Sequence, residues 1–526
     1  MTKNITIHLV QLIQSLSSSE KRSFKLFAKR SGNSTESAKF ILLFNFIDRS
    51  SNYDDTLFLK RHPEIKKIQL PNIKSHLYHQ ILNSLRNLHS GHYKLMELRE
   101  SLDHAYILYI KGLHSSALRI IERTKCKAEQ ANDRVLLLEL IEFEKRIEAL
   151  YITRGFKDRA AQLIEDSTRL SNQVSKTVAY SNLTLELYGL YTKVGVVRNE
   201  RDFQVIQSMF EDKLPKFEAE ELGFHERLML YNAYVWYYVI TQDFLMGYRY
   251  SQKWVDLFDE FPAMRTIEFE MYLKGYNNLL LALFNIRNHP RLTQAITDFE
   301  QLEMPDYRGD NVNVQYYLFL YTALINKHYL EGSFSEGTKL AETIDEFIDR
   351  HAHILDQHRI MVLYYKIGCL FFGAGMNKEA IRYLNRVIQF KVQAWREDIQ
   401  SFARILNLIA HYELGNDILV EYQVKSVYRF LLKKNDLNGV QIEILGFLRK
   451  LPLSSRDQES LAFGNLLEKL VALSHKPYEK RPFLYLDIIS WLESKLTGKT
   501  VQEIVQLKFK EEQRTGKLLY FPVKKS

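Results

Sequence analysis

Six glycines divide much of this chain at near-constant intervals. Gly112, Gly155 and Gly195 lie 43 and 40 residues apart, and Gly332, Gly375 and Gly415 repeat the same two steps. Around four of them the neighbours recur as well. The segments are Tyr109-Ile-Lys-Gly112-Leu-His-Ser-Ser-Ala117, Ile152-Thr-Arg-Gly155-Phe-Lys-Asp-Arg-Ala160, Tyr329-Leu-Glu-Gly332-Ser-Phe-Ser-Glu-Gly337 and Phe372-Gly-Ala-Gly375-Met-Asn-Lys-Glu-Ala380. Each sets an aromatic or apolar residue before the glycine and a small residue five positions after it. Glycine ends a helix readily because it takes the left-handed backbone conformation without steric cost. The small residue lets a second helix approach the first. Apolar residues then follow on one helical face, as at Ala380, Leu384 and Val387. Degenerate copies around Thr241-Gln-Asp-Phe-Leu-Met-Gly247 and Asn288-His-Pro-Arg-Leu-Thr-Gln-Ala295 fill the interval. The pattern predicts about eight helix pairs across residues 99–434.

Composition agrees with helices. The 526 residues include 21 Gly and 10 Pro, too few for the turns of an all-β protein. A hydrophobic share of 46% with 26% charged residues excludes wholesale disorder. No apolar stretch approaches the ~20 residues of a membrane span, and the first residues lack the apolar core of a signal peptide. Two distant cysteines, Cys126 and Cys369, form no disulfide framework. These features predict a soluble, cytoplasmic protein.

The segment Tyr364-Tyr-Lys-Ile367-Gly368-Cys-Leu-Phe371-Phe-Gly-Ala-Gly375-Met-Asn-Lys-Glu-Ala380-Ile-Arg-Tyr-Leu384-Asn-Arg-Val387 resembles the tetratricopeptide repeat (TPR) family. It carries that family's Ile-Gly pair, an aromatic three positions on, the turn glycine and the small residue at matching offsets. The copies at Gly112 and Gly155 keep the second half of the motif. The steps here exceed the family's 34 residues, its closing proline is missing, and Glu200 and Val420 replace the small residue in two copies. The resemblance implies an all-α, right-handed solenoid of antiparallel helix pairs over 99–434; residues 1–98 and 435–526 lie outside the repeat and read as helical N- and C-terminal caps. It also implies a non-catalytic scaffold that binds a protein or peptide partner in the concave face, with no cofactor. Projecting the motif places Lys145, Asn182, Lys193, Asn232, Trp236, Asn326, Tyr365 and Tyr412 toward that groove. The family's site for chaperone tails wants a lysine and an asparagine one turn apart on a first helix. Lys145 is followed by Ala149, so that specificity is not supported.

The charge is concentrated at the start of the chain. Residues 1–100 hold 16 Lys and Arg against 8 Asp and Glu, a net +8 of the chain's +9. Ser17-Ser-Ser-Glu20 reads as a capping box, and Pro71 opens a long helix with Ile73, Leu77, Ile81 and Leu85 on one face. A short helix near 54–62 precedes it. Lys60, Arg61, Lys66, Lys67, Lys74 and Arg86 are candidate phosphate contacts, which makes a nucleic-acid-associated regulator the alternative reading. The connection of about eight residues is longer than the 3–4 of a helix-turn-helix.

Catalytic signatures are weak. Thr497-Gly-Lys-Thr500 lacks the upstream glycine of a phosphate loop, where Glu493 stands instead, and Gly498 reads as a helix cap. The histidine pairs His76/His79 and His89/His92, and the trio His351, His353 and His358, lack an adjoining metal-site glutamate. The aromatic cluster from Tyr231 to Trp254 reads first as core.

Overall fold

The computed structural model describes residues 2–31, 35–50, 53–91, 93–150, 157–216, 222–304, 309–390, 397–433, 439–450, 456–476, 478–479, 483 and 487–516. The described residues are 85% helix, with no strand among them. It divides into two compact units, Met1–Val174 and Ser175–Ser526.

In the first unit, Leu9 to Ile81 contribute to one apolar cluster and Leu98 to Leu170 to another. The capping box forms: the Ser17 backbone N–H donates to Glu20 Oε2 at 2.7 Å, and the Glu20 N–H donates to Ser17 Oγ at 3.3 Å. Pro71 stands in the first turn of Leu70–His89, with Ile73, Leu77 and Ile81 buried. Lys94–Ile110 then packs on His114–Gln130, and that helix on Arg134–Glu148.

The Gly155 copy departs from expectation. Gly155 lies outside the described residues, and Ala160 is exposed rather than placed between helices. Two helices were expected between Gly155 and Gly195. Lys157–Val194 is instead one helix of 38 residues. The physical reason is that residues 157–188 contain neither glycine nor proline, so nothing there ends the helix. The boundary between the two units falls within it.

The second unit repeats one turn. Gly195, Gly332, Gly375 and Gly415 take φ of +83°, +68°, +76° and +72°, as Gly112 does in the first unit at +74°. Gln242 and Arg287 occupy the same conformation at +61° and +54°. They complete a series at 195, 242, 287, 332, 375 and 415. After five of these turns the next residue donates its N–H to a carbonyl five positions back: Asp243 to Tyr238, Asn288 to Leu283, Ser333 to His328, Met376 to Phe371 and Asn416 to His411. This bond closes a Schellman turn. Where glycine is absent, an Asp or Asn follows and caps the next helix. Asp243 accepts from the Met246 N–H and Asn288 from the Arg291 N–H. Five residues past each turn, Gly247, Leu292, Gly337, Ala380 and Val420 are buried, whereas Glu200 is exposed.

Helix pairing follows the turns. Phe224–Thr241 packs on Phe244–Glu260, Phe269–Asn285 on His289–Glu300, Gln357–Gly373 on Asn377–Gln389, and Glu397–Glu413 on Asp417–Lys433. The first helices also pack on each other in sequence: Phe269–Asn285 on Asp310–Glu331, then Gln357–Gly373, Glu397–Glu413 and Gly439–Lys450. One apolar core runs from Phe224 to Val505. The last described helix, Val501–Thr515, was expected to cover the final repeat. It packs instead on Ile488–Thr497 and on Asp310–Glu331.

Candidate protein-binding face and basic patch

The projected groove residues differ in their placement. Asn232, Asn326 and Tyr365 are buried at 3%, 1% and 3% exposure, so they face the packed core and not an open groove. The longer helices shift the register by which the motif was projected. Tyr412 is half-buried, with the Trp491 ring edge-on at 6.3 Å and Lys495 5.6 Å above it. Trp236 packs against Tyr188 and Tyr191 at 5.1 and 5.3 Å. Lys145 bonds Glu142 at 2.7 Å and Ser167 at 2.6 Å. Asn182 and Lys193 are exposed on the long helix Lys157–Val194. The aromatic cluster goes to the interior as expected: Tyr234 stacks on Tyr250 at 4.1 Å, and Trp254 is fully buried.

A different set of cations gathers where three first helices meet. Phe269–Asn285 and Gln357–Gly373 both pack on Asp310–Glu331. Lys366 Nζ donates to Asn326 Oδ1 at 2.6 Å and lies 5.5 Å from the rings of Phe284 and Tyr329. The outer two helices therefore bring side chains together over the middle one. Arg359 lies two turns before Lys366 on the same helical face. Its Nε is 3.6 Å from Asp356.

Lys274 is half-buried, with Nζ 5.8 Å above the Trp254 ring. It makes no ion pair among the described residues. Burial, and then the charge of Arg359, hold its pKa below the ordinary lysine value. One turn on, the Asn278 Nδ2 is buried without an acceptor among the described residues. A half-buried cation short of counter-charge, beside an unused amide donor, suits an anionic group brought by another molecule.

Comparison with known protein families, with curated proteins and with solved structures finds no match.

The basic patch of the first unit divides in two. Lys60, Arg61, Lys66 and Lys67 are exposed and make no ion pair among the described residues. Arg61 lies 5.5 Å from the Phe46 ring, and Ile68 beside the lysines is 84% exposed. Lys74 is not available to phosphate. It is 3% exposed and donates to Asp55 at 2.6 Å and Thr6 at 2.8 Å. Arg86 is paired with Asp103 at 2.8 Å. Two further motifs take structural parts. Gly498 caps Ile488–Thr497 and Thr500 caps the following helix, so Thr497–Thr500 joins two helices. His89 bonds Glu20 at 2.9 Å, and His92 lies outside the described residues.

Sequence reading missed Lys274, Asn278 and Arg359, although a signal was present. Lys274 and Asn278 have the one-turn lysine–asparagine spacing that Lys145 and Ala149 lack. The turn after their helix carries Arg287 in place of glycine, and the degenerate copy at Asn288–Ala295 sets the register three residues off.

Proposed function

We propose that the chain is a non-catalytic scaffold, a TPR-like solenoid of helix pairs, that binds an acidic segment of a protein partner across its first helices. Lys274 carries this reading, being half-buried, near Arg359 and without an ion pair among the described residues. A buried charge that the fold does not compensate lowers stability, so a binding role accounts for its presence better than a packing role. Two distant unbridged cysteines, Cys126 and Cys369, support a reducing, cytoplasmic setting.

The test separates stability from binding. Lys274→Met should raise the unfolding midpoint at neutral pH, by about 1 kcal/mol in stability. Its folded pKa is lowered, so between that pKa and the ordinary lysine value the folded unit binds fewer protons than the unfolded chain. Wild-type stability should therefore rise with pH toward the ordinary lysine value of about 10.4, and the variant should lose that rise. Peptides rich in Asp and Glu should bind the wild-type chain in calorimetric titrations, and Lys274→Met should weaken them about tenfold or more. Equal binding by the variant removes Lys274 from the site.

The alternative, a nucleic-acid-associated regulator, is favoured by one observation. Lys60, Arg61, Lys66 and Lys67 are exposed and without ion pairs among the described residues, in a region of net +8. If they meet phosphates, affinity falls steeply with salt, and replacing all four with Gln removes the salt-sensitive part of binding. A mobility-shift titration of the full chain at two salt concentrations decides it. No shift at low salt discards this reading, and a shift that survives the four substitutions places the contact elsewhere.

A further inference from the structure

The helix Val501–Thr515 carries its own stops. The Thr500 backbone N–H donates to Glu503 Oε2 at 2.8 Å, and the Glu503 N–H donates to Thr500 Oγ1 at 3.2 Å. At the other end Gly516 takes φ +65° and bonds the Glu512 carbonyl at 2.9 Å. A capping box and a left-handed cap stabilise a helix from its own sequence.

This helix lies across the turns at 287 and 332. Gln502 Oε1 accepts from both the backbone N–H and the hydroxyl of Ser335, each at 2.9 Å. Gln506 donates to the Gly332 carbonyl at 3.2 Å. Phe509 meets the His289 ring edge-on at 4.8 Å, and Glu512 accepts from Arg287 at 3.3 Å. Residues 502, 505, 506, 509 and 512 fall on one helical face. The backbones come close at Gly332, where a Cβ would stand 2.8 Å from the Gln506 nitrogen and 3.0 Å from the Val505 side chain. Glycine is needed there both for its φ of +68° and for this approach.

Little apolar surface holds the helix down. Ile504 and Val505 are its buried residues, and Leu507 is 47% exposed. By contrast, Gln357–Gly373 buries Ile360, Met361, Leu363, Tyr365, Ile367 and five more. Segments with few buried apolar contacts open at lower free energy than the core around them.

We propose that the turn edge at Arg287–His289 and Gly332–Ser335 is a helix-docking surface, with the chain's own Val501–Thr515 as its resident occupant. The partner that fits is an amphipathic helix presenting an amide, an aliphatic-amide pair, an aromatic and a carboxylate on successive turns. Such a helix exchanges with the resident one, in the helix-in-groove mode of recognition. This surface is separate from the Lys274 face, and the inference does not depend on what binds there.

The test uses a labelled peptide with the sequence of residues 499–516. It is titrated by fluorescence anisotropy into the full chain and into the full chain carrying Val505→Asp and Phe509→Asp, which loosen the resident helix and leave the receiving edge intact. The doubly substituted chain should bind the peptide at least tenfold more tightly than wild type, and a peptide carrying Phe509→Asp should not bind. Two results overturn the proposal. One is a doubly substituted chain with unchanged helical content that binds no peptide. The other is global unfolding of that chain, which would make the helix an inseparable part of the fold.

Discussion

Replacing Glu144 with alanine should destabilise the first unit by about 3–5 kcal/mol. The Glu144 side chain is 4% exposed and accepts from two cations: Lys125 at 2.6 Å and Arg159, whose Nε lies at 2.8 Å. Lys125 comes from His114–Gln130, Glu144 from Arg134–Glu148 and Arg159 from Lys157–Val194, so one carboxylate joins three helices. Its loss leaves the Lys125 side chain, 11% exposed, with Glu122 at 3.0 Å as its remaining carboxylate. Glu122 lies toward solvent at 57% exposure and neutralises a buried charge less well. Amide exchange in Arg134–Glu148 should accelerate by two orders of magnitude or more. Joint replacement of Lys125 and Glu144 by methionine should recover most of the loss, since it removes both charges. An unchanged exchange rate in Glu144→Ala would show that the network contributes nothing.

Trp254→Ala should cost the second unit a similar amount, about 3–5 kcal/mol. The indole is fully buried, and its N–H donates to the Met271 carbonyl at 3.1 Å. Gly275 is shaped around it, because a Cβ there would lie 2.6 Å from Trp254 Cδ1. Alanine therefore leaves a large cavity between Phe244–Glu260 and Phe269–Asn285. Lys274 loses the ring beneath it as well, so acidic-peptide binding should weaken together with stability. Denaturant unfolding gives the first quantity and calorimetry the second. A loss below about 1 kcal/mol would mean that the site collapses around the missing ring.

The hairpin turns were the legible part of the sequence. Glycine at 112, 332, 375 and 415 marks a left-handed residue that almost any other side chain would strain, and all four take that conformation. The turns at Gln242 and Arg287 were legible only as degenerate copies, because neither carries glycine; their strain is offset locally by the Asp243 and Asn288 caps that follow them. The missing break in Lys157–Val194 was misread from spacing alone, since the expected glycine step carried no stop signal within the segment. Site residues were less legible than turns. A projected position such as Asn232 or Asn326 changes from groove to core when its helix gains a turn, and only packing reveals the new register. Lys74 reads like Lys60 in sequence. Its placement between Asp55 and Thr6 depends on three separate helices meeting.

If the chain is a scaffold, it should hold a protein partner at the first-helix face. The most direct measurement is affinity capture from native cell extract with the full chain and its Lys274→Met variant, each with and without nuclease. A partner should persist after nuclease treatment and be depleted on the variant, while the variant remains folded and at least as stable as wild type. A partner that vanishes with nuclease, or one retained equally by both chains, would contradict that role.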